Sequence, residues 1–415
     1  MSAVPGGGIG ETVSRIAPDI AALDREYVLP TYVRLPLEVV SGLGGEVVGR
    51  DGRRYLDFVT GLSVSNFGHC HPRVVAAIRE QAGRLIHCSN LYTTEPQARL
   101  AGRLSALANG GRVFFSNSGA EANELAVKIA RKRARSLGGG VIVTVEGSFH
   151  GRTMATLSAT GQPLKQKDFG PPLDGFLHVP FGDVAALETS FREHRVAAFM
   201  VEPVLGEGGV RIHPDGYLET AGLLCAQHDA LLMVDEVQTG LGRCGAFFAY
   251  QRFGLNPDVV TVAKTLAGGL PMGGTVVAGR AEGVIVAGDH GSTFGGGPVV
   301  AAAALAVLDL VEGDGLFAAV EDAGARLEGW LRTLEKAGAV REVRRLGLMA
   351  AADLTDKSAK QVVLDALDAG ILLNATSDET LRFLPPLTVS PEEIDRVGDF
   401  LVTLLVPTRI PGGAA

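Results

Sequence analysis

The chain has 415 residues, enough to bury a large core and to divide into two or three units. With 46% hydrophobic and 20% charged residues, and 55 glycines that follow no three-residue period, it reads as an Ala/Gly/Val-rich α/β enzyme, which excludes a disordered or collagen-like chain. A net charge of −8 without any Lys/Arg block argues against nucleic acid or an anionic membrane surface and points to small-molecule chemistry.

Four cysteines, Cys70, Cys88, Cys225 and Cys244, show no C-x-x-C spacing, and no basic segment followed by an apolar one marks a secretory leader. A cytoplasmic protein with reduced thiols is expected. The longest apolar stretch, residues 298–308, is too short to cross a bilayer.

In chain order, the first thirty or so residues are punctuated by Gly and Pro and read as an arm or short helix. Residues 38–58 read as short strands of a small sheet, with Arg50-Asp51-Gly52-Arg53 as a hairpin turn. His71-Pro72 then opens a helix that carries Val74, Val75, Ile78 and Ala82 at helical spacing.

From about residue 110 to 311, strand-like and helix-like runs alternate. They are R-V-F-F-S, a helix over 120–135, V-I-V-T-V, A-A-F-M-V-E-P, a helix near 218–228, L-L-M-V-D-E-V, D-V-V-T-V-A-K and G-T-V-V-A-G. Near-continuous Val/Ile/Leu strands between helices predict a mostly parallel sheet covered on both faces, with ligands at the strand C-terminal ends. After residue 315, helices around 317–337, strands near 341–354 and a final helix over 391–405 predict a smaller α+β domain. The predicted division is therefore 1–65, an N-terminal segment contributing to the small domain; 66–313, the large ligand-binding domain; and 314–415, the C-terminal small domain.

The chemistry lies just after those strands. Lys264 ends an apolar strand, where an ammonium group is either paired or tuned as a nucleophile. Asp235 closes L-L-M-V, and a buried carboxylate needs a cationic partner. Ser118-Gly119-Ala120 presents backbone amides at a helix N-terminus, an anion cradle, and Ser292-Thr293 adds a second hydroxyl-and-amide donor. Phe149 and Arg152 share one loop, an aromatic plate for a planar ring and a guanidinium for a carboxylate. Lysine, carboxylate, plate and phosphate cradle together match what pyridoxal phosphate requires.

Two matches are set aside. Gly240-Leu241-Gly242-Arg243-Cys244-Gly245 satisfies G-x-G-x-x-G, but Asp-Glu-Val-Gln-Thr separates it from the strand and no helix-forming run follows, so no dinucleotide site is predicted. His69-Cys70-His71 lacks a partner pair at ligand spacing and reads as a capping turn, so no metal is expected.

From about Tyr32 to the final helix the chain resembles the class III (ω-amino acid) aminotransferases of pyridoxal-phosphate fold type I, and within them the branch acting on acetylated ornithine. The likeness is carried by Y-L-D-F-V-T-G-L-S-V-S-N-F-G-H-C-H-P, F-F-S-N-S-G-A-E-A-N-E, F-H-G-R-T, V-E-P-V-L-G-E-G-G-V, D-E-V-Q-T-G-L-G-R, A-K-T-L-A-G-G-L-P, H-G-S-T-F-G-G and L-R-F-L-P-P-L.

The resemblance implies that Lys264 is the Schiff-base lysine and Asp235 the partner of the pyridine nitrogen. It further implies that Ser118, Gly119, Ala120 and Thr293 hold phosphate, with Thr293 supplied by the second subunit of a homodimer whose active sites lie at the interface. Phe149 stacks on the ring, and Val237 and Gln238 lie beside the cofactor. Arg152, with Ser292 nearby, takes the substrate α-carboxylate. Glu207 is a switch carboxylate pairing with Arg382, and Tyr32 completes the donor-end pocket. The implied reaction moves the ω-amino group of N2-acetylornithine or a close relative to 2-oxoglutarate. Ornithine, succinylornithine, carrier-linked lysine and 4-aminobutyrate are the alternative donors, and a non-catalytic scaffold is disfavoured because every expected catalytic position is filled. Leu205, Cys244 and Gly297 stand where the family usually has Gln, Thr and Asn, a difference that bears on pocket polarity.

Overall fold

A computed structural model describes residues 19–108 and 110–406. The N-terminal arm holds helix α1 (Ile20–Tyr27), begun by Asp19, whose side chain accepts from the Ala22 N–H at 2.9 Å. Strands β1 (Val39–Leu43), β2 (Glu46–Gly49) and β3 (Arg54–Asp57) follow, the last two joined by the expected turn at residues 50–53. His71 caps the helix Pro72–Ala82.

The centre is a seven-stranded sheet. In chain order its strands are β4 (Arg112–Ser116), β5 (Val141–Val145), β6 (Phe176–Val179), β7 (Val196–Val201), β8 (Leu231–Asp235), β9 (Val259–Val262) and β10 (Gly273–Val277), and in space they run β4-β10-β9-β8-β7-β5-β6. Every residue of β7, β8 and β9 is buried, which is why these strands are written almost wholly in apolar residues. Only β10 runs antiparallel to its neighbours. Six strands thus release their chains at one edge, while β10 receives its chain there. Helix α2 (Gly119–Ser136) leaves that edge after β4, with Ser118 accepting from the Glu121 N–H at 3.1 Å.

The C-terminal part contributes β11 (Val340–Leu346), β12 (Met349–Leu354), β13 (Ile371–Leu372), β14 (Asn374–Ala375) and β15 (Thr380–Phe383), followed by helix α3 (Pro391–Leu405) with a Ser390/Glu393 capping box. Four of these strands pair as β11-β12-β15-β14. β13 instead runs parallel to β3, so the N-terminal and C-terminal segments share one sheet. No residue pattern in the short β13 announces that pairing. Among the described residues no helix is long and apolar enough to cross a membrane; residues 298–308 lie within the helix Pro298–Val311.

The G-x-G-x-x-G match is a structural turn. Its Arg243 is fully buried and meets no carboxylate among the described residues. The guanidinium donates to Ser63 Oγ at 3.0 Å, Asn66 Oδ1 at 2.5 Å, Leu348 O at 2.9 Å and Pro385 O at 2.7 Å. Burial alone lowers its pKa to about 9. The segment it clasps is unusual: Thr60, Gly61, Leu62 and Ser63 have φ of 48°, 61°, 64° and 68°, one left-handed turn with a single glycine. Asp57 Oδ1 accepts the Val59 and Thr60 N–H groups at 2.8 and 2.9 Å, and Thr60 Oγ1 donates to Leu384 O at 2.8 Å, which over-determines the turn.

Candidate active site

The releasing strand ends surround a cavity of about 430 Å³, within the range of small-molecule sites. Residues 117–120 follow β4, residues 149–152 follow β5, Glu202 follows β7, Asp235 closes β8 and Lys264 follows β9. Because β10 enters at the same edge, the loop 269–272 also lines the cavity.

Asp235 is 3% exposed and meets three polar partners within the chain. Its Oδ2 accepts from Asn123 Nδ2 at 2.7 Å and lies 2.8 Å from His150 Nδ1, and its Oδ1 accepts from the Val237 N–H at 3.0 Å. Burial pulls the His150 imidazole down, but the hydrogen bond and charge of Asp235, with Glu202 behind, more than reverse this and raise its pKa. His150 is therefore the side chain that Asp235 pairs with inside the chain. Glu202 is a second strand-end carboxylate, pushed above the usual carboxylate range by burial; its oxygens accept from the Phe149 and Gly206 N–H groups at 2.8 and 3.3 Å.

Lys264 is half-buried with φ of 49°, a left-handed conformation that a lysine holds only when the surroundings impose it. Burial lowers its pKa to about 8, against the raising charges of Glu207, Glu202 and Asp235. The neutral, nucleophilic form therefore gains ground as pH rises through about 8. In the cofactor-free chain, acylation of Lys264 followed by peptide mass spectrometry should show a midpoint near that pH, whereas a midpoint near the ordinary lysine value of 10.5 would contradict a tuned amine.

At the other end, Gly119 and Ala120 begin α2 with their amides toward the cavity, where the helix N-terminus favours an anion. A Cβ on Gly119 would lie 2.8 Å from Val237 Cγ1, so only glycine lets the helix start this close. Gln238 is 6% exposed, and its Nε2 is buried with no partner.

Phe149 forms one wall, with Arg152 Cζ 5.7 Å from its ring centroid. Arg382 is 1% exposed and donates from Nη1 to Glu207 Oε1 at 2.7 Å and Gly206 O at 3.0 Å, while Nε and Nη2 reach Asn374 Oδ1 at 3.0 and 2.7 Å. Burial pushes Glu207 up, and Arg382 more than offsets that and holds its pKa below the usual carboxylate value.

Three expected residues lie elsewhere in the described chain. Tyr32 is 75% exposed beside Arg34, outside the cavity. Ser292 accepts from Asn117 Nδ2 at 3.2 Å without lining Lys264's cavity, and exposed Thr293 lines separate depressions with His87, Cys88 and Asn90. Leu205, Cys244 and Gly297 do not line this cavity: Leu205 and Cys244 are fully buried in hydrophobic clusters, and Gly297 lines the depression that holds Thr293. His69 pairs with Asp57 at 2.7 Å, and among the described residues no His/Cys/Asp/Glu group could hold a metal.

Asn123, His150 and Glu202 were not singled out from the sequence. Glu202 carried a usable signal, since it follows V-A-A-F-M-V just as Asp235 follows L-L-M-V. Asn123 lies four residues beyond Gly119 on α2, the helical spacing that turns it toward β8.

A lysine and a paired carboxylate at neighbouring strand ends, an anion cradle at a helix N-terminus and an aromatic wall define a pyridoxal-phosphate enzyme of fold type I. The chain belongs to the class III aminotransferases, whose family model, "Aminotransferase class-III", matches residues 27–405. It is 45% identical to the acetylornithine aminotransferase of Caldanaerobacter subterraneus over 93% of this chain and 99% of that protein. Among solved structures, the ornithine aminotransferase of Toxoplasma gondii superposes with a TM-score of 0.89 at 34% identity, over 93% of this chain and 94% of that one. The acetylornithine aminotransferase of Elizabethkingia anophelis gives 0.83 at 30% identity, over 93% and 98%. The cofactor of the family is pyridoxal 5′-phosphate. The residues present fit it: the helix start that only Gly119 permits, the unpartnered Gln238 Nε2 and the Asp235 carboxylate supply donors and an acceptor for a phosphorylated, protonated heterocycle.

Proposed function

We propose that the chain moves the ω-amino group of N2-acetylornithine, or a close relative, to 2-oxoglutarate. The observation that carries this reading is the closed Arg382–Glu207 pair, 2.7 Å apart, in which Glu207 lines the same cavity as Lys264 and Arg152 while Arg382 lies buried behind it. With Glu207 masking Arg382, the cavity presents one free guanidinium, suited to a donor with a single carboxylate at the far end and an uncharged chain beside its reacting amine. A keto acid with two carboxylates needs both arginines. Opening the pair exposes the second.

In this reading Arg152 binds the α-carboxylate, and Phe149, Val237 and Gln238 hold the cofactor ring, with Ser118, Gly119 and Ala120 at its phosphate. When bound, the cofactor withdraws electrons from the donor carbon and carries the amino group between substrates. Lys264 takes the proton from the donor carbon and returns it, as base and then acid, a role suited to an amine of pKa about 8. Asp235, backed by His150, keeps a proton on the ring nitrogen. Ser292 and Thr293 stand outside the cavity of their own chain, which supports a homodimer in which Thr293 completes the partner's phosphate site; the protein should sediment at the mass of two chains. The residues of the site and the cysteine pattern fit a cytoplasmic enzyme of amino-acid biosynthesis.

The test is a panel of single half-reactions, read by loss of the bound cofactor's visible absorbance, with N2-acetylornithine, ornithine, succinylornithine and 4-aminobutyrate. The acetylated donor should react at least about tenfold faster than free ornithine, the difference expected when a second ammonium must be desolvated. Equal or faster reaction with ornithine would favour the second reading, ornithine aminotransferase, which the superposition on the Toxoplasma gondii enzyme supports.

A further inference from the structure

One further cation stands beside the aromatic wall of the cavity and has no role in the scheme above. Lys165 sits on the one-turn helix Pro163–Gln166, which is pinned from both sides. Gln162 Nε2 donates to Gly147 O and Ser148 O at 3.2 and 3.1 Å, and Gln166 Nε2 donates to Leu157 O and Thr160 O at 2.9 and 2.7 Å. Lys165 Nζ stands 5.4 Å from the Phe149 ring centroid, the same ring that Arg152 approaches. Among the described residues, that ring is the one partner of its ammonium group.

A half-buried ammonium without a carboxylate is unfavourable, and burial lowers the Lys165 pKa. Glu207 is the charge that opposes this, while Arg152 and Arg382 add to it. Glu207 in turn is stabilised as a carboxylate by Arg382, then by Lys264 and Lys165. The two segments also meet in space: a Cβ on Gly208, next to Glu207, would lie 2.9 Å from Gly147 O, the carbonyl that Gln162 holds, so Glu207 stands between Arg382 on β15 and the helix that carries Lys165.

A dicarboxylate keto acid brings one carboxylate for Arg152 and one for Arg382. The second expels Glu207, whose carboxylate must find another cation or remain half-buried and unpaired. We propose that Lys165 receives the Glu207 carboxylate while a dicarboxylate occupies Arg382. This rests on the Arg382 gate of the preceding section. Glu207 then has two seats, one for each substrate, and Lys165 is a positioning residue that acts through it.

The probe is glutarate, a dicarboxylate that cannot accept an amino group, titrated calorimetrically into the cofactor-bound protein. Lys165→Met should weaken glutarate about tenfold, and Lys165→Arg should recover most of that loss. In a Glu207→Gln background, where no charge needs a second seat, Lys165→Met should cost less than about twofold, a coupling read by the double-mutant cycle. In turnover, the KM for 2-oxoglutarate should rise several-fold more than that for the amino donor.

Unchanged glutarate affinity in Lys165→Met would overturn the proposal. So would a loss that persists undiminished with Glu207→Gln, which would place Lys165 against the ligand itself. Arg382→Lys separates the two levels of inference. If glutarate binds that variant as well as it binds the native chain, the gate reading fails. If binding falls there but not in Lys165→Met, only the second seat is lost.

Discussion

Lys264→Ala is expected to slow amino transfer by about 10⁴-fold, the upper range for removing a positioned general acid–base. No other group in the cavity can take over. The two oxygens of Glu202 are engaged by backbone N–H groups, Asp235 has three donors, and His150 faces Asp235 rather than the cavity centre. The fold should tolerate the change, because the substitution removes a half-buried amine whose burial already lowers its pKa. Single-turnover kinetics of the half-reaction, together with a thermal melt, checks both statements. A small external amine should restore part of the rate if the missing function is proton transfer. A loss below about tenfold with an intact fold would remove Lys264 from the catalytic role.

Asp235→Asn is expected to damage both chemistry and stability. The carboxylate receives three N–H donors, from Asn123, His150 and Val237, so an amide in its place must aim its own NH₂ at one of them. A buried donor facing a donor costs about 1–3 kcal/mol of stability. His150 loses the hydrogen bond and the charge that raise its pKa. With no anion behind the ring nitrogen, transition-state stabilisation of about 3 kcal/mol should be lost, a fall of roughly 10²-fold in the half-reaction rate. Denaturant melts and half-reaction kinetics on one preparation measure the two effects. A variant as fast as the native chain would show that Asp235 serves the fold alone.

The readability of the sequence followed how locally each feature is specified. Strands such as L-L-M-V-D and V-V-T-V are buried throughout, so their apolar runs identified them, and the capped helix Pro391–Leu405 was visible to the residue. Strand-end position likewise exposed Lys264 and Asp235. What depends on distant partners was hidden. The pairing of β13 with β3 joins residues over three hundred positions apart, and the clasp of Arg243 on Ser63, Leu348 and Pro385 spans three segments. Tyr32 carried a family-like neighbourhood without any local feature that would bury it, and it lies on the surface. Leu205 stood out as an unusual residue beside a catalytic motif, yet backbone direction turns it into the core.

The left-handed turn at residues 60–63 has a consequence for the C-terminal segment. Val64, which follows it, forms part of the cavity wall. The non-glycine residues in that conformation, Thr60, Leu62 and Ser63, each carry a cost of about 1–3 kcal/mol and persist only under external restraint. Two of the restraints come from the far end of the chain: Leu384 O accepts from Thr60, and Pro385 O accepts from Arg243, whose other groups hold Ser63 and Asn66. A nascent chain that has emerged only as far as Lys264 has its lysine and its cradle but lacks the clasp that winds the wall. This wall of the pocket therefore depends on residues 384 and 385 being in place, and retention of the cofactor becomes a marker of an intact C-terminal segment.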